Sequence, residues 1–136
     1  MKIYIASSWR NQHAVEMLTT MLRSKGHEIH SFIEKAICNE GRSEIKYDVE
    51  NWINSKDGDE KFQYDLTGAT KSDLVIYVGP SGTDAWAEVG AAWQSGRPIY
   101  GLWAKGEPAG LMRKMVNWFK DYKEIIDFID QAERIL

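Results

Sequence analysis

The feature that most constrains the fold is the apolar run Leu74–Val78, which reads Leu-Val-Ile-Tyr-Val between Asp73 and Gly79. The run shows no alternation of apolar and polar residues, as is typical of a central parallel strand that helices cover on both faces. It is also far shorter than the ~20 residues that a membrane-spanning helix needs. We therefore expect a sheet with this strand near its middle, and no membrane span.

The amino-terminal part of the chain predicts a β-α-β unit. Residues 3–6 favour a strand that stops at two serines, and a helical pattern follows, in which apolar residues recur at Ala14, Met17, Leu18, Met21 and Leu22. Gly26 ends the helix, and residues 27–33 predict a second strand. Because such crossovers join parallel strands, the loop after the first strand should lie at the carboxyl edge of the sheet.

The next part of the chain is less regular. Residues 34–58 are polar or only faintly periodic, and they predict a mobile loop and a short helix. In the following helix, Phe62, Leu66 and Ala69 share an inward stripe. Asp65 lies three residues after Phe62 and four before Ala69, so we expect it to be partly buried.

Strand and helix patterns alternate to the end of the chain. A helix over residues 84–94 should place four residues on the sheet, namely Trp86, Val89, Gly90 and Trp93. Further strands are predicted at residues 98–102 and 116–119, with a short helix over residues 108–115 between them and an amphipathic helix last.

These patterns predict one α/β domain over residues 1–136, built as a three-layer α/β/α sandwich around a mainly parallel five-stranded sheet, flavodoxin-like or Rossmann-like. The length of 136 residues is that of one ordinary domain. Ligands of such sheets bind beyond the carboxyl ends of the strands, so we expect the site at the loops over residues 7–10, 79–84 and 103–107.

Charge and cysteine content narrow the partners. The 17 basic and 20 acidic side chains give a net charge of −3 without a basic cluster, which disfavours long nucleic acid and favours a small ligand. The lone Cys38 allows no intrachain disulfide and indicates a reducing, cytoplasmic location. No signal-peptide pattern is present at the start, so we expect the mature chain to begin at residue 1. The three histidines lack zinc-type spacing, and we expect no metal and no organic cofactor.

Ser7, Ser8, Trp9 and Arg10 follow the first strand and favour an anion site. Two hydroxyl groups, the free backbone N–H groups of a helix start and a guanidinium suit a phosphate. The alternative is a serine that caps the helix beside a solvated arginine.

Glu88 is the candidate catalytic residue, because its neighbours on the helix are all small. They are Ala85, Ala91, Ala92 and Ser95. A lone acid among small side chains is unlike a solvated helix face and suits a pocket wall. Glu88 lies about one turn inside the helix, so the helix dipole should keep its pKa low and the carboxylate available as a nucleophile. The alternative is a polar residue at a helix or subunit contact.

Glycosidic chemistry needs a second carboxyl group to manage the proton of the leaving group, and Asp65 is the best candidate. The alternative is that Asp65 accepts a hydrogen bond from a backbone N–H group and so holds a loop in place. Trp9 and Trp103 lie near the predicted site and could cover a flat base, whereas Trp86 and Trp93 are expected in the core.

Three segments together resemble the nucleoside 2-deoxyribosyltransferase superfamily. They are Lys-Ile-Tyr-Ile-Ala-Ser-Ser-Trp-Arg at residues 2–10, Asp65 seven residues before Ser-Asp-Leu-Val, and Ser-Gly-Thr leading to Ala-Glu-Val-Gly-Ala-Ala. The resemblance implies that Glu88 is the nucleophile that takes the deoxyribosyl group, that Asp65 assists near the base and sugar, and that Tyr4 lies beside the nucleophile. It also implies a homodimer or a higher homo-oligomer.

Within this superfamily, the turn at residues 7–10 is similar to that of the deoxynucleoside 5′-monophosphate N-glycosidases, with Ser7 in place of a glycine. This likeness implies that Ser8 and Arg10 hold a 5′-phosphate, with further substrate contacts from the second loop. We expect those contacts at Gly79, Ser81, Gly82 and Thr83.

The resulting hypothesis is cleavage or transfer at the N-glycosidic bond of a 2′-deoxynucleoside or its 5′-monophosphate. Two other interpretations fit the same residues. One is a nucleotide-binding sensor that has lost efficient catalysis, and the other is a TIR-like NAD glycohydrolase, since those α/β domains also use a glutamate on a helix. A purely structural role would leave the small surroundings of Glu88 unexplained.

Overall fold

The computed structural model describes residues 1–33 and 49–135. Five strands form one sheet in the order β2-β1-β3-β4-β5, and every neighbouring pair is parallel. The strands are β1 Lys2–Ala6, β2 Glu28–Ser31, β3 Leu74–Val78, β4 Ile99–Leu102 and β5 Asn117–Phe119. The sheet confirms the predicted five-stranded parallel fold with β3 in its middle, and the order is that of flavodoxin-like proteins.

Within residues 1–33 and 49–135, the helices that connect or follow these strands give the β-α-β pattern that the sequence predicts. They are α1 Gln12–Ser24, α2 Val49–Ile53, α3 Lys56–Lys71, α4 Thr83–Gln94 and α5 Tyr122–Ile135. Short 3-10 helices lie at Trp9–Asn11 and Leu111–Met115. The predicted short helix after the irregular segment is confirmed as α2, whereas residues 34–48 of the predicted mobile loop lie outside the described residues.

Two hydrophobic cores, one on each face of the sheet, make the three layers. On one face α1 and α5 pack against strand residues such as Ile3, Ile5 and Ile76. On the other face α3 and α4 pack against Tyr4, Val75, Tyr77 and Ile99. Because successive side chains of a strand point to opposite faces, the unbroken apolar run of β3 supplies both cores.

In three helices, the residues that face the core differ from those that the sequence predicts. In α1 the buried residues are Val15, Leu18, Thr19 and Leu22, whereas Met17 is 64% exposed. Phe62 and Trp93 were expected to face inward, but they are 61% and 55% exposed. In α3 the reason is close packing: a Cβ at Gly68 would overlap the ring of Tyr4, so small residues occupy the inward line. In α4 the inward line is again small, with Ala85 and Ala92 beside Val89.

The order of the strands in the sheet determines where a ligand site is expected. The chain turns from one side of the sheet to the other between β1 and β3, and the crevice beyond their carboxyl ends is the usual ligand site of such a fold. The loops that follow these two strands meet there, and the amino end of α4 lies beside them. Among the described residues, no helix has both the length and the apolar character needed to cross a bilayer.

Candidate active site

A cavity of about 340 Å³ lies beyond the carboxyl ends of β1 and β3. Its wall brings together eight residues that the sequence predicts for the site: Ser7, Ser8, Trp9, Asp65, Ser81, Gly82, Thr83 and Glu88. Ala85 and Asp84, which ends the predicted loop over residues 79–84, also line the cavity, whereas the lining residues Phe32 and Lys61 were missed. The loop after β1, α3 and the start of α4 thus converge on one pocket although they are distant in sequence.

Glu88 lies on α4 at the wall of the cavity, and its Oε1 accepts a hydrogen bond of 2.6 Å from the Tyr4 hydroxyl. Tyr4 is fully buried in β1, so its ring fixes the position of this hydroxyl beneath the carboxyl group. Both flanking alanines on the inward line, Ala85 and Ala92, are buried. Tyr4 therefore lies beside Glu88, as the resemblance implies.

The protonation state of Glu88 differs from the prediction. The pKa of Glu88 is raised to about 8, chiefly by burial and also by the nearby Asp65 and Asp84 carboxylates, while the Tyr4 hydrogen bond opposes the rise. The expected low pKa is therefore wrong. A helix dipole stabilises an anion modestly, whereas removing a carboxylate from water costs more, so burial outweighs the dipole here.

Asp65 faces the same cavity from α3, and its side chain is only 18% exposed, which confirms the predicted partial burial. Its Oδ2 lies 3.4 Å from the Nζ of Lys61, and its Oδ1 is buried without a hydrogen-bond partner among the described residues. Burial raises the pKa of Asp65, and the ammonium of Lys61 opposes this rise. The cavity therefore contains two buried carboxyl groups in different electrostatic settings.

Tyr4 lies close to both acids. Burial and the Glu88 and Asp65 carboxylates raise the pKa of Tyr4 well above its ordinary value. The phenol consequently stays protonated across the physiological range and acts as a hydrogen-bond donor. It stabilises the charged form of whichever carboxyl group accepts its hydrogen.

The loop after β1 is tied to the loop after β3. Ser7 Oγ donates to the Val78 carbonyl oxygen at 2.7 Å, and Asn11 Nδ2 donates to Ser7 Oγ at 3.0 Å and to the Pro80 carbonyl oxygen at 2.8 Å. Ser7 thus braces the two loops. Ser8 Oγ is buried at the cavity and has no partner among the described residues, so this hydroxyl is available to a ligand.

Arg10 and Gly79, both predicted to bind substrate, are not among the residues that line the cavity. Arg10 is exposed on the 3-10 helix after Ser8. Gly79 is buried, and a Cβ there would overlap Oε2 of Glu107, so its observed role is close packing.

The amino end of α4 contributes the polar part of the wall. Gly82 caps the helix without a side-chain hydrogen bond, so the first N–H groups of α4 have no capping acceptor. Ser81 Oγ is buried at the cavity without a partner among the described residues. Free N–H groups at a helix start and an unpaired hydroxyl are groups that can bind an anion.

An aromatic wall forms another side of the cavity. Trp9 meets the buried Phe32 edge to face, with ring centroids 5.6 Å apart. Trp9 therefore lies where a flat base could contact it, as expected, whereas Trp103 does not line the cavity. The predicted core position of Trp86 is confirmed, because it packs on Tyr77 with centroids 4.8 Å apart.

A second cluster, which sequence reasoning missed, lies behind the cavity wall. We call it the Glu107 latch: Tyr77 Oη lies 2.8 Å from both carboxylate oxygens of Glu107, and Trp86 Nε1 donates to Oε1 at 3.2 Å. The Tyr77 hydroxyl also accepts the backbone N–H of Ser81 at 3.0 Å. The latch therefore connects the loop after β4 to the amino end of α4.

The residues missed by sequence reasoning differ in how they could have been found. Lys61 lies one helical turn before Asp65, and a pair of opposite charges at this spacing is a recognisable signal. Phe32 and Glu107 carry no local signal, because their contacts are made across the fold. Within residues 1–33 and 49–135, no group of three or more possible metal ligands occurs.

The fold is shared with known proteins, although no family model and no curated protein matches the sequence. A 2-deoxyribosyltransferase from Bacillus psychrosaccharolyticus aligns with a TM-score of 0.67 and 21% identity, covering 93% of this chain and 91% of that one. The CMP N-glycosidase BcmB of Clostridium botulinum aligns with a TM-score of 0.62 and 18% identity, covering 96% and 99%.

A conserved protein from Enterococcus faecalis V583 aligns similarly, with a TM-score of 0.65, 15% identity and coverage of 97% and 98%. The chain therefore shares its fold, over more than nine-tenths of its length, with a 2-deoxyribosyltransferase and a CMP N-glycosidase.

Proposed function

We propose that this protein cleaves or transfers at the N-glycosidic bond of a nucleoside or nucleotide, with Glu88 as the nucleophile. The observation that carries the proposal is the pairing of Glu88 with Tyr4 at the wall of a cavity that also contains Asp65. The fold shared with two enzymes named for such chemistry supports it. We further propose 2′-deoxynucleosides or their 5′-monophosphates as substrates.

Two carboxyl groups are what glycosidic chemistry requires. In the proposed first step, Glu88 attacks C1 of the sugar, an ester bond forms, and the C1–N bond breaks with its electron pair leaving on the base. In the second step, water or another base attacks C1 from the opposite side, gives one proton back to the acid pair, and releases Glu88 as the C1–oxygen ester bond breaks. Two displacements at C1 retain its configuration.

Because its pKa is raised, Glu88 holds the proton that the departing base needs. Near neutral pH most of the free protein holds a proton on Glu88, since its pKa is about 8. That proton has to leave before Glu88 attacks, and the departing base needs one proton to become neutral. We propose that Asp65, in the same cavity, takes the proton from Glu88 and passes it to the departing base. One proton thus moves from the acid pair to the base.

The remaining walls fit the other parts of such a substrate. The edge-to-face pair of Trp9 and Phe32 offers an aromatic surface to the base. The unpaired hydroxyls of Ser8 and Ser81 and the start of α4 offer donors to a sugar hydroxyl or a 5′-phosphate. The homo-oligomeric state and the cytoplasmic location implied by the sequence remain predictions.

The test is base release from a panel of 2′-deoxynucleosides, their 5′-monophosphates and NAD, measured by chromatography with Glu88→Gln as the control. We expect a free base from at least one deoxynucleoside or deoxynucleotide and none with the variant. Release of nicotinamide from NAD would instead favour the TIR-like interpretation.

Thermal-shift measurements on the same panel separate catalysis from sensing. Stabilisation by a nucleotide without base release would favour a sensor and contradict the proposed enzyme. A panel that neither reacts nor stabilises the protein would contradict the proposed substrate class.

A further inference from the structure

Lys61 is held inside the candidate active site rather than on the surface. Its side chain is 18% exposed, and its Nζ donates to the Phe32 carbonyl oxygen at 3.1 Å and lies 3.4 Å from Asp65 Oδ2. The same ammonium stands 5.3 Å from the centre of the Phe32 ring. These contacts fix one positive charge beside one of the two acids.

The two acids of the cavity therefore have unequal partners. Asp65 has a cation within ion-pair distance, whereas Glu88 accepts a hydrogen bond from the neutral Tyr4 and, among the described residues, forms no ion pair. When two carboxyl groups share a poorly solvated site, the second charge is costly, and a neighbouring cation decides which group ionises first. Opposite charges a few ångströms apart interact strongly where water is scarce.

We propose that Lys61 is a positioning residue that holds Asp65 as the charged carboxylate and leaves the proton of the acid pair on Glu88 until substrate binds. The consequence for catalysis rests on the proposed function, but the assignment of charge does not. It means that Asp65 meets the incoming base as a hydrogen-bond acceptor, and that the proton lost by Glu88 is the one available to the leaving base.

The charged and titratable groups around Glu88 come from three elements. Tyr4 on β1 and Lys61 on α3 favour its ionised form, whereas Asp65 on α3 and Asp84 on its own helix disfavour it. Lys61 acts more directly on Asp65, with which it is paired. Its removal should therefore affect both acids and Asp65 the more.

The first test uses the unmodified protein. Carboxyl ¹³C resonances of Asp65 and Glu88, assigned with single Asn and Gln variants, are followed against pH in the free protein. We expect Asp65 to titrate at a lower pH than Glu88. The reverse order, or a shared midpoint, would overturn the proposal.

The second test compares Lys61→Met with Lys61→Arg, and with Lys71→Met as a control that removes an exposed charge from the same helix. We expect Lys61→Met to move both midpoints upward, with the larger change at Asp65. The arginine variant should largely restore them because it keeps the charge, and the control should leave them in place. An unchanged Asp65 midpoint in folded Lys61→Met would contradict the proposal.

Kinetics separate this proposal from the proposed function. If the protein releases bases, Lys61→Met should lower kcat/KM at pH 7 by about threefold to tenfold and shift the pH profile upward, because more molecules then hold a proton on both Asp65 and Glu88. If no base is released although the titrations change as expected, the charge assignment stands and the proposed function fails. A kcat/KM that falls equally at every pH would indicate a merely structural lysine and count against the charge assignment.

Discussion

Two tyrosine and glutamate pairs lie on the same face of the sheet, and they show how similar contacts serve different ends. Tyr4 of β1 and Tyr77 of β3 both belong to the core beneath α3 and α4. The strands are in register so that Ala6 lies beside Tyr77, which places the two phenols two residues apart along the sheet. Each phenol donates a hydrogen bond to a glutamate from a later part of the chain.

The pairs differ in how fully each carboxyl group is satisfied. Both oxygens of Glu107 contact the Tyr77 hydroxyl, and Oε1 also accepts from Trp86. Among the described residues, Glu88 accepts one side-chain hydrogen bond, at Oε1 from Tyr4, and it faces the cavity. A satisfied carboxylate holds a loop in place, whereas an under-satisfied buried one has a raised pKa and free lone pairs. The difference supports the proposed role of Glu88 as the reacting group and a supporting role for Glu107.

The largest expected difference between the pairs is in activity. Glu88→Gln should lower base release by about a thousandfold or more, because the amide cannot form the covalent bond to C1. Glu107→Gln keeps a group of the same shape outside the cavity, so it should retain a much larger share of activity. The comparison fails if the two variants lose similar activity while both remain folded by circular dichroism.

Glu88→Gln and Glu107→Gln should change the free energy of unfolding in opposite directions. Glu88 has an ordinary pKa of 4.5 when unfolded and about 8 when folded, so the wild type loses stability as pH rises through this window. Glu88→Gln removes that cost, and its advantage in unfolding free energy should grow from pH 4.5 to 8, reach about 2 to 4 kcal/mol, and then level off.

Glu107→Gln, in contrast, should lower the free energy of unfolding by about 1 to 3 kcal/mol, because it disrupts a satisfied, partly buried hydrogen-bond network. Urea unfolding at several pH values measures both effects. A Glu88→Gln advantage that shrinks with rising pH would show that Glu88 is not a buried, protonated acid.

The glycines beside the two pairs should respond differently. Gly79→Ala should cost about 1 to 3 kcal/mol, because the new methyl group would meet Glu107 and the Tyr77 ring in a tightly packed region. Gly82→Ala is the matched control, since open space surrounds that position, and it should cost no more than about 1 kcal/mol, from the poorer N-cap of α4 alone. Equal costs for the two variants would argue against the packing described for the latch.

The hydroxyl groups of Tyr4 and Tyr77 should differ in their effect on the pH profile of kcat/KM. Because the Tyr4 hydrogen bond favours ionised Glu88, Tyr4→Phe should make the Glu88 proton harder to transfer and lower kcat/KM at pH 7 by about tenfold. It should also move the falling limb of kcat/KM, where that proton is lost to solvent, to higher pH. Tyr77→Phe should leave the midpoint near pH 8, whatever it does to the rate. A Tyr4→Phe profile with an unchanged midpoint would separate Tyr4 from the ionisation of Glu88.

Much of this arrangement could be predicted from the sequence. The unbroken apolar run of β3 and the alternation of strand and helix patterns depend on local residues, so the parallel sheet followed from them. Asp65 and Glu88 could be placed at the carboxyl edge for the same reason. The orientation of α3 could not, because its inward line is decided by how closely Gly68 approaches Tyr4.

The charge state of the site also lay beyond the sequence. The dipole of α4 is a local property and could be inferred, but the burial of Glu88 depends on α3 packing beside α4 over Tyr4. The contact between Tyr77 and Glu107 joins residues 30 positions apart, and no periodic pattern predicts it. Contacts between distant parts of the chain therefore determine the charge state of the site, whereas local sequence patterns predict only where the site lies in the fold.

The most direct test of the central claim is to trap the covalent intermediate. The protein is incubated with a nucleoside substrate whose sugar carries a 2′-fluorine, which slows the release step, and its mass is then measured intact and after proteolysis. We predict a gain equal to the glycosyl group on the peptide that contains Glu88, and no gain in Glu88→Gln. Turnover with inverted configuration at C1, or a glycosyl group on another residue, would contradict the account.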